Sequence, residues 1–253
     1  MPRGPHSPIP RVDDLPDALF EQPSPLRGVR FDRARQVERL RALAPHLAAF
    51  PDDIDGFTLD NGYYEAFDAE VLWATLRDLR PRRVVELGSG WSSHVIAAAL
   101  AADGDGAEHA IYDPFERDSA PAAVQHVAAQ DVPEDVFTAL EASDVLFVDT
   151  THTVKTGGDV NRIVLDLLPL LQPGVAVHFH DVLLPWELHR TWLERGWFWF
   201  EQYLLQAFLS GNDAWEVELA LHDLTRTEPE LVRELVPSWT GATCPSAFWL
   251  RRR

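Results

Sequence analysis

A chain of 253 residues can bury one sizeable core with decorations, and a single domain preceded by a flexible lead is expected. Lys and Arg total 22 against 40 for Asp and Glu, a formal charge of −18, which argues against nucleic acid or an anionic membrane as partner and favours a soluble enzyme with a small-molecule substrate. The single Cys244 allows no internal disulfide; no apolar leader follows a basic start and no window approaches the roughly 18 apolar residues of a membrane span, so the cytoplasm is the expected location.

Residues 1–30 carry Pro2, Pro5, Pro8, Pro10, Pro16, Pro23 and Pro25, each of which removes an amide donor, so an irregular lead is expected. Residues 31–80 read as a helical extension or lid. Val37, Leu40, Leu43 and Leu47 recur at helical spacing behind Asp32, a suitable N-cap, and a second helix is expected from Asp68 to Leu79. From 81 to 253 short apolar runs at 83–87, 109–113, 144–149 and 174–179 alternate with helical stretches at 92–102, 133–142 and 159–171. Strand and helix in alternation imply an α/β fold, doubly wound, with a mostly parallel sheet and helices on both faces.

Ligands of such sheets sit beyond the carboxyl ends of the strands. After the first run comes Glu86-Leu87-Gly88-Ser89-Gly90, where Gly88 and Gly90 allow a tight turn and close approach of backbone to ligand. A dinucleotide fingerprint calls for glycine at position 93, which is Ser93 here. The second run ends at Asp113, placed to accept both hydroxyls of a ribose. Gln130-Asp131 is expected to close a short third strand, with Asp131 accepting from an adenine amino group.

Glu86-Leu-Gly-Ser-Gly, Asp113 and Asp131 in this order resemble the class I S-adenosylmethionine (SAM)-dependent methyltransferases. More narrowly, residues 61–210, with Leu146-Phe-Val-Asp-Thr-Thr-His152 and Leu171-Gln-Pro-Gly-Val-Ala-Val-His-Phe-His-Asp181, are similar to the macrocin-type O-methyltransferases. The resemblance implies a Rossmann-like sheet of seven strands in the order 3-2-1-4-5-7-6 with the last antiparallel, strands six and seven being supplied by 214–221 and 246–251. It also implies SAM as cofactor, with Glu86, Gly88, Ser89, Gly90, Asp113, Asp131 and Asp149 around it.

If strands four and five are neighbours, their ends lie about 5 Å apart and Asp149 faces His180 and Asp181. In metal-dependent relatives these places hold one acid and then two adjacent acids around a divalent ion. Here Asp149, His180 and Asp181 are the corresponding metal set, and the imidazole at 180 favours manganese, iron, zinc or nickel over magnesium, or no metal at all. His180 and His152 are alternative general bases, with Asp181 beside them, since neutral imidazole takes a proton near neutral pH. His178 reads as a hydrogen-bonded core histidine.

Tyr63, in Asn61-Gly62-Tyr63-Tyr64, is a candidate lid over the sulfonium through cation–π attraction. The run from Gly196 to Phe208 places Trp197 or Trp199 toward an acceptor cleft, while Phe200, Leu204 and Phe208 share one helical face suited to core or to self-association into a homo-oligomer. Three functions compete: O-methylation of a sugar or secondary-metabolite hydroxyl, aided or not by a divalent metal; a metal-dependent oxygenase or non-catalytic ligand binder on the same scaffold; and an NAD-dependent oxidoreductase, which Ser93 disfavours.

Overall fold

The computed structural model describes residues 6–102, 104, 106–115 and 124–253; Pro2 and Pro5 of the lead fall outside them. In chain order the elements are α1 (Ala18–Glu21), α2 (Arg33–Ala42), α3 (Ala44–Leu47), α4 (Asp68–Leu79), β1 (Arg83–Leu87), α5 (Trp91–Ala101), β2 (Glu108–Tyr112), β3 (Val124–Gln125), α6 (Glu134–Thr138), β4 (Val145–Val148), α7 (Asp159–Arg162), β5 (Ala176–Phe179), α8 (Arg190–Glu194), α9 (Glu201–Leu209), β6 (Trp215–Ala220), α10 (Leu221–Thr227), α11 (Pro229–Leu235) and β7 (Phe248–Arg252). The strands form one sheet in the order β3-β2-β1-β4-β5-β7-β6. Pairing is parallel from β3 to β5, and β7 runs antiparallel to both β5 and β6. This is the doubly wound, Rossmann-like seven-stranded sheet in the order the resemblance implies.

Alternation along the central strands divides the core between the two faces. Val84, Phe147 and Trp249 pack with Leu40, Leu43, Leu72, Leu76 and Ile96, so the helices of 31–80 share one core with the sheet. Val85, Leu146, Val148, Val177 and Leu250 pack on the other face with Phe137, Ile163, Val164 and Leu205. Among the described residues no helix is long and apolar enough to cross a membrane.

Three elements depart from the expectation, each for a local reason. The helix expected through Leu47 divides at Leu43, because Pro45 lacks the amide that would continue the ladder; Asp32 does cap its start by accepting from the Arg35 amide at 3.2 Å. The stretch after Asp159 begins as α7, widens into a π turn over Ile163–Leu167 and tightens into a 3-10 turn over Leu168–Leu170, around Pro169. The third strand is Val124–Gln125 rather than a strand closing at 130–131. It is an edge strand whose Gln125 carbonyl accepts from both Asp113 and Val127 amides, turning the chain away into a 3-10 turn over Ala129–Asp131. Residues 6–30 hug the surface: Arg190 donates to the carbonyls of Val12 and Leu15 and to Asp17, and Val12 is buried with Leu188 and Leu193.

Candidate functional site

The glycine turn is a packing necessity before it is a binding feature. Gly88 has φ 89°, and a Cβ there would stand 1.8 Å from the Asp149 carbonyl oxygen. Removing the side chain lets the end of β1 close onto the end of β4, where the Asp149 amide donates to the Leu87 carbonyl at 2.9 Å.

Beneath the turn, Glu86 is fully buried and accepts from Ser92 Oγ at 2.8 Å and Ser93 Oγ at 2.9 Å, with His109 Nε2 at 2.7 Å. Its carboxylate is therefore spent on bracing the start of α5, which corrects its expected place at the cofactor. Ser93, where a dinucleotide fingerprint has glycine, also accepts from the Gly90 amide at 3.1 Å and so locks the turn to the helix. Asp113 lies against the same turn, its Oδ2 accepting from the amide and hydroxyl of Ser89, both at 2.9 Å. Asp131 lies exposed in its 3-10 turn.

The ends of β4 and β5 gather the ionisable groups. His152 Nε2 stands 3.1 Å from Asp149 Oδ1 and 3.5 Å from Asp181 Oδ2, and its Nδ1 is 3.0 Å from Glu201 Oε2. His180 Nε2 lies 3.2 Å from Ser246 Oγ and 3.5 Å from Asp68 Oδ2. His180 Nδ1 makes no hydrogen bond although it is buried, and it faces Asp149 Oδ2 at 3.6 Å and Asp181 Oδ1 at 3.8 Å. Each imidazole thus has a carboxylate on its outer nitrogen and Asp149 and Asp181 on its inner one, the outer-shell arrangement that fixes ring orientation at metal centres. The side-chain atoms of Asp149, His152 and Asp181 that could hold an ion lie within 4.8 Å of one another. That set substitutes His152 for the His180 expected from sequence, with His180 Nδ1 on its flank.

Four carboxylates around two imidazoles leave the cluster negative even with both rings protonated. Burial opposes charging His180, but Asp181, Asp149 and Asp68 outweigh it and lift its pKa to about 9. Burial likewise opposes His152, and its hydrogen bonds to Asp149 and Glu201 raise its pKa well above the ordinary value. Burial would raise the pKa of Asp149, yet His180 and His152 prevail and hold it down. Both shifts favour the charged ring, where the sequence reading had a neutral imidazole base. Two site residues, His152 (φ 55°) and Asp181 (φ 56°), sit in the left-handed region, a strain of about 1–3 kcal/mol each that concentrates at functional sites.

The aromatic residues sort by the Asn61 turn. Asn61 Oδ1 accepts from the amides of Tyr63 and Tyr64 at 2.8 and 2.7 Å, which sends the first side chain outward and the second inward. Tyr63 is 79% exposed, whereas Tyr64 is buried, with its ring 4.8 Å from the His180 ring centroid and its hydroxyl 3.3 Å from His178 Nε2. His178 is the core histidine expected, stacked 4.1 Å on Phe147; burial, then His180, lower its pKa. Trp199 lies 4.9 Å from the His152 ring, with Trp197 stacked on it at 4.9 Å and 38% exposed.

Asp68, Glu201 and Ser246 were not singled out from sequence. Glu201 carried a signal: it directly follows four aromatic residues, Trp197-Phe-Trp-Phe200, and a carboxylate in apolar surroundings needs a partner. Asp68 looked like any first-turn helix acid, and Ser246 like any residue before a strand.

The profile of a family described as a methyltransferase domain matches residues 85–182, the stretch from β1 to just beyond β5 that holds the glycine turn, Asp113, Asp149, His152, His180 and Asp181. That stretch is similar to a methyltransferase domain over about two fifths of the chain. Among solved structures, it is similar to the S-adenosylhomocysteine-bound methyltransferase PaMTH1 of Podospora anserina, at 19% identity and a TM-score of 0.42, over 87% of this chain and 88% of that one. It is also similar to a putative methyltransferase of Thermobifida fusca YX, at 17% identity and a TM-score of 0.34, over 71% and 74% of the two chains. No curated protein matches the chain.

Proposed function

We propose that this chain transfers the methyl group of SAM to a hydroxyl of a small molecule, a sugar or secondary metabolite, held against the histidine and carboxylate cluster. The observation that carries the reading is the contact of Gly88 with the Asp149 backbone. It sets the donor turn, flanked by Asp113, against the first carboxylate of the cluster. A donor over the turn and an acceptor over the cluster are then neighbours, and holding both in line for displacement at the methyl carbon supplies about 7–11 kcal/mol.

The cluster would orient and deprotonate the acceptor. Its hydroxyl would donate to Asp181, which takes the proton as the methyl carbon leaves sulfur, while the imidazolium charges of His152 and His180 stabilise the oxygen as it becomes negative. The unpartnered His180 Nδ1 and the excess of carboxylate fit a divalent ion. Asp149 and Asp181 with His152 or His180 would hold it, the ion displacing that ring's proton and taking over its positive charge, and when bound it would lower the pKa of the acceptor hydroxyl. Methyl transfer is preferred to metal-centred oxygenation because it gives a ligand to the Asp113–Ser89 pair as well as to the cluster, whereas an oxygenase would use the cluster alone.

Thermal melts with SAM and with NAD test the reading. Stabilisation by SAM alone, rising with its concentration, is expected; stabilisation by NAD and not by SAM would contradict it.

A further inference from the structure

A second group of metal-ligating side chains lies outside both the cluster and the stretch 85–182. His189 follows β5, His222 sits in the first turn of α10, and Cys244 precedes β7. Cys244 Sγ is 3.1 Å from His189 Nε2 and 3.5 Å from His222 Nδ1, and all three atoms lie within 4.8 Å of one another. The rings stand nearly perpendicular, at 80°, with centroids 5.5 Å apart. His222 is buried, and His189 and Cys244 are half-buried.

The geometry points to a zinc-class metal site with Cys244, His189 and His222 as its three protein ligands. A tetrahedral centre with a metal–sulfur bond of about 2.3 Å and metal–nitrogen bonds of about 2.0–2.1 Å separates sulfur from nitrogen by roughly 3.6 Å. The observed separations are within about half an ångström of that. Thiolate with two imidazoles suits zinc, cobalt or copper rather than magnesium or calcium. A fourth position is left for water.

A nucleophilic role for the cysteine does not fit. Burial, then Asp68 and Asp181, push the Cys244 thiol up to about 12, so little thiolate exists without a metal. The same acids give the sulfur a negative surrounding that a cation would relieve. His189 Nε2 and His222 Nδ1 both face the sulfur, as two ligands of one ion would. Binding balances as one dication in and one thiol proton out, leaving the site one charge more positive. Such a clip would tie the lead of β7 to α10 and to the loop after β5, two residues from Ser246, whose hydroxyl contacts His180 and Asp181.

Because Cys244 is the chain's single cysteine, a sulfur-to-metal signal can come from nowhere else. The full chain, untagged and stripped with chelator, is titrated with Co2+. A thiolate-to-cobalt charge-transfer band that saturates at one equivalent, vanishes on adding Zn2+ and is absent in Cys244→Ser is expected. The sulfur-free cluster of Asp149, His152 and Asp181 cannot produce that band, and SAM plays no part in it, so the result is separate from the methyltransferase reading. Should Cys244→Ser fail to fold, the rate of thiol alkylation of the unaltered chain serves instead, and Zn2+ should slow it at least tenfold. A folded chain that gives no thiolate band, or whose thiol reacts at the same rate with and without Zn2+, overturns the site.

Discussion

At the scale of single residues, Gly88 and Asp159 do the most to place groups at the rim. Gly62 and Gly88 both have positive φ, 78° and 89°, but a Cβ at Gly62 meets nothing within 4 Å while one at Gly88 strikes the Asp149 carbonyl. Gly62→Ala should therefore cost about 1–2 kcal/mol, the left-handed penalty alone. Gly88→Ala should cost several times more; equal melting temperatures for the two variants would show that the close approach is unimportant. Asp159 accepts from the Thr151 hydroxyl at 2.7 Å and its amide at 2.9 Å, pinning the loop that carries His152. Burial opposes its ionisation but these bonds outweigh it and lower the pKa. A depressed carboxylate stabilises above the unfolded-state value and loses that contribution as pH falls through the folded value. Asp159→Asn should thus be less stable by about 1.5–3 kcal/mol at pH 7, and denaturant unfolding should show the gap shrinking on acidification; a gap constant with pH would rule out the charge as its source.

Among elements, the lead of β7 and the start of α4 behave as one unit. Asp68 accepts from the Ser246 amide at 3.0 Å and the Ala247 amide at 2.9 Å, and Ser246 Oγ donates to Asp181 at 3.1 Å. Asp68→Ala leaves two buried amides without acceptors, and guanidinium unfolding should register a loss of roughly 2–6 kcal/mol; an unchanged midpoint would contradict the link. The N-terminal lead depends in the same way on Arg190. Arg190→Ala should expose residues 6–25 to limited proteolysis while the rest of the chain resists, and unaltered cleavage would show that the lead is held by other contacts. Strands and principal helices were legible because each is announced by its own short apolar period, as Arg83–Leu87 and Asp68–Leu79 are. The pairing of Asp68 with Ser246 was not, since 178 positions separate them and only the docking of α4 beside β7 joins them. The break at Pro45 was readable in principle and was outvoted by the periodic leucines on either side.

For the whole molecule, the sheet order came from family resemblance, because apolar runs do not say which strand lies beside which. That order makes neighbours of the turn after β1 and the ends of β4 and β5. Asp149, His180 and Asp181 were readable as strand-end residues, while the upward pKa shifts of His152 and His180 depend on carboxylates that other elements bring to them. The proposed division of labour along this rim puts the donor over the glycine turn and the acceptor over the cluster. Calorimetric titration of S-adenosylhomocysteine into the unaltered chain, Asp113→Ala and His152→Ala tests it most directly. Affinity should fall at least tenfold in Asp113→Ala and remain within about twofold in His152→Ala, a variant that nonetheless loses methyl transfer. Equal loss of affinity in both variants, or in neither, would contradict it.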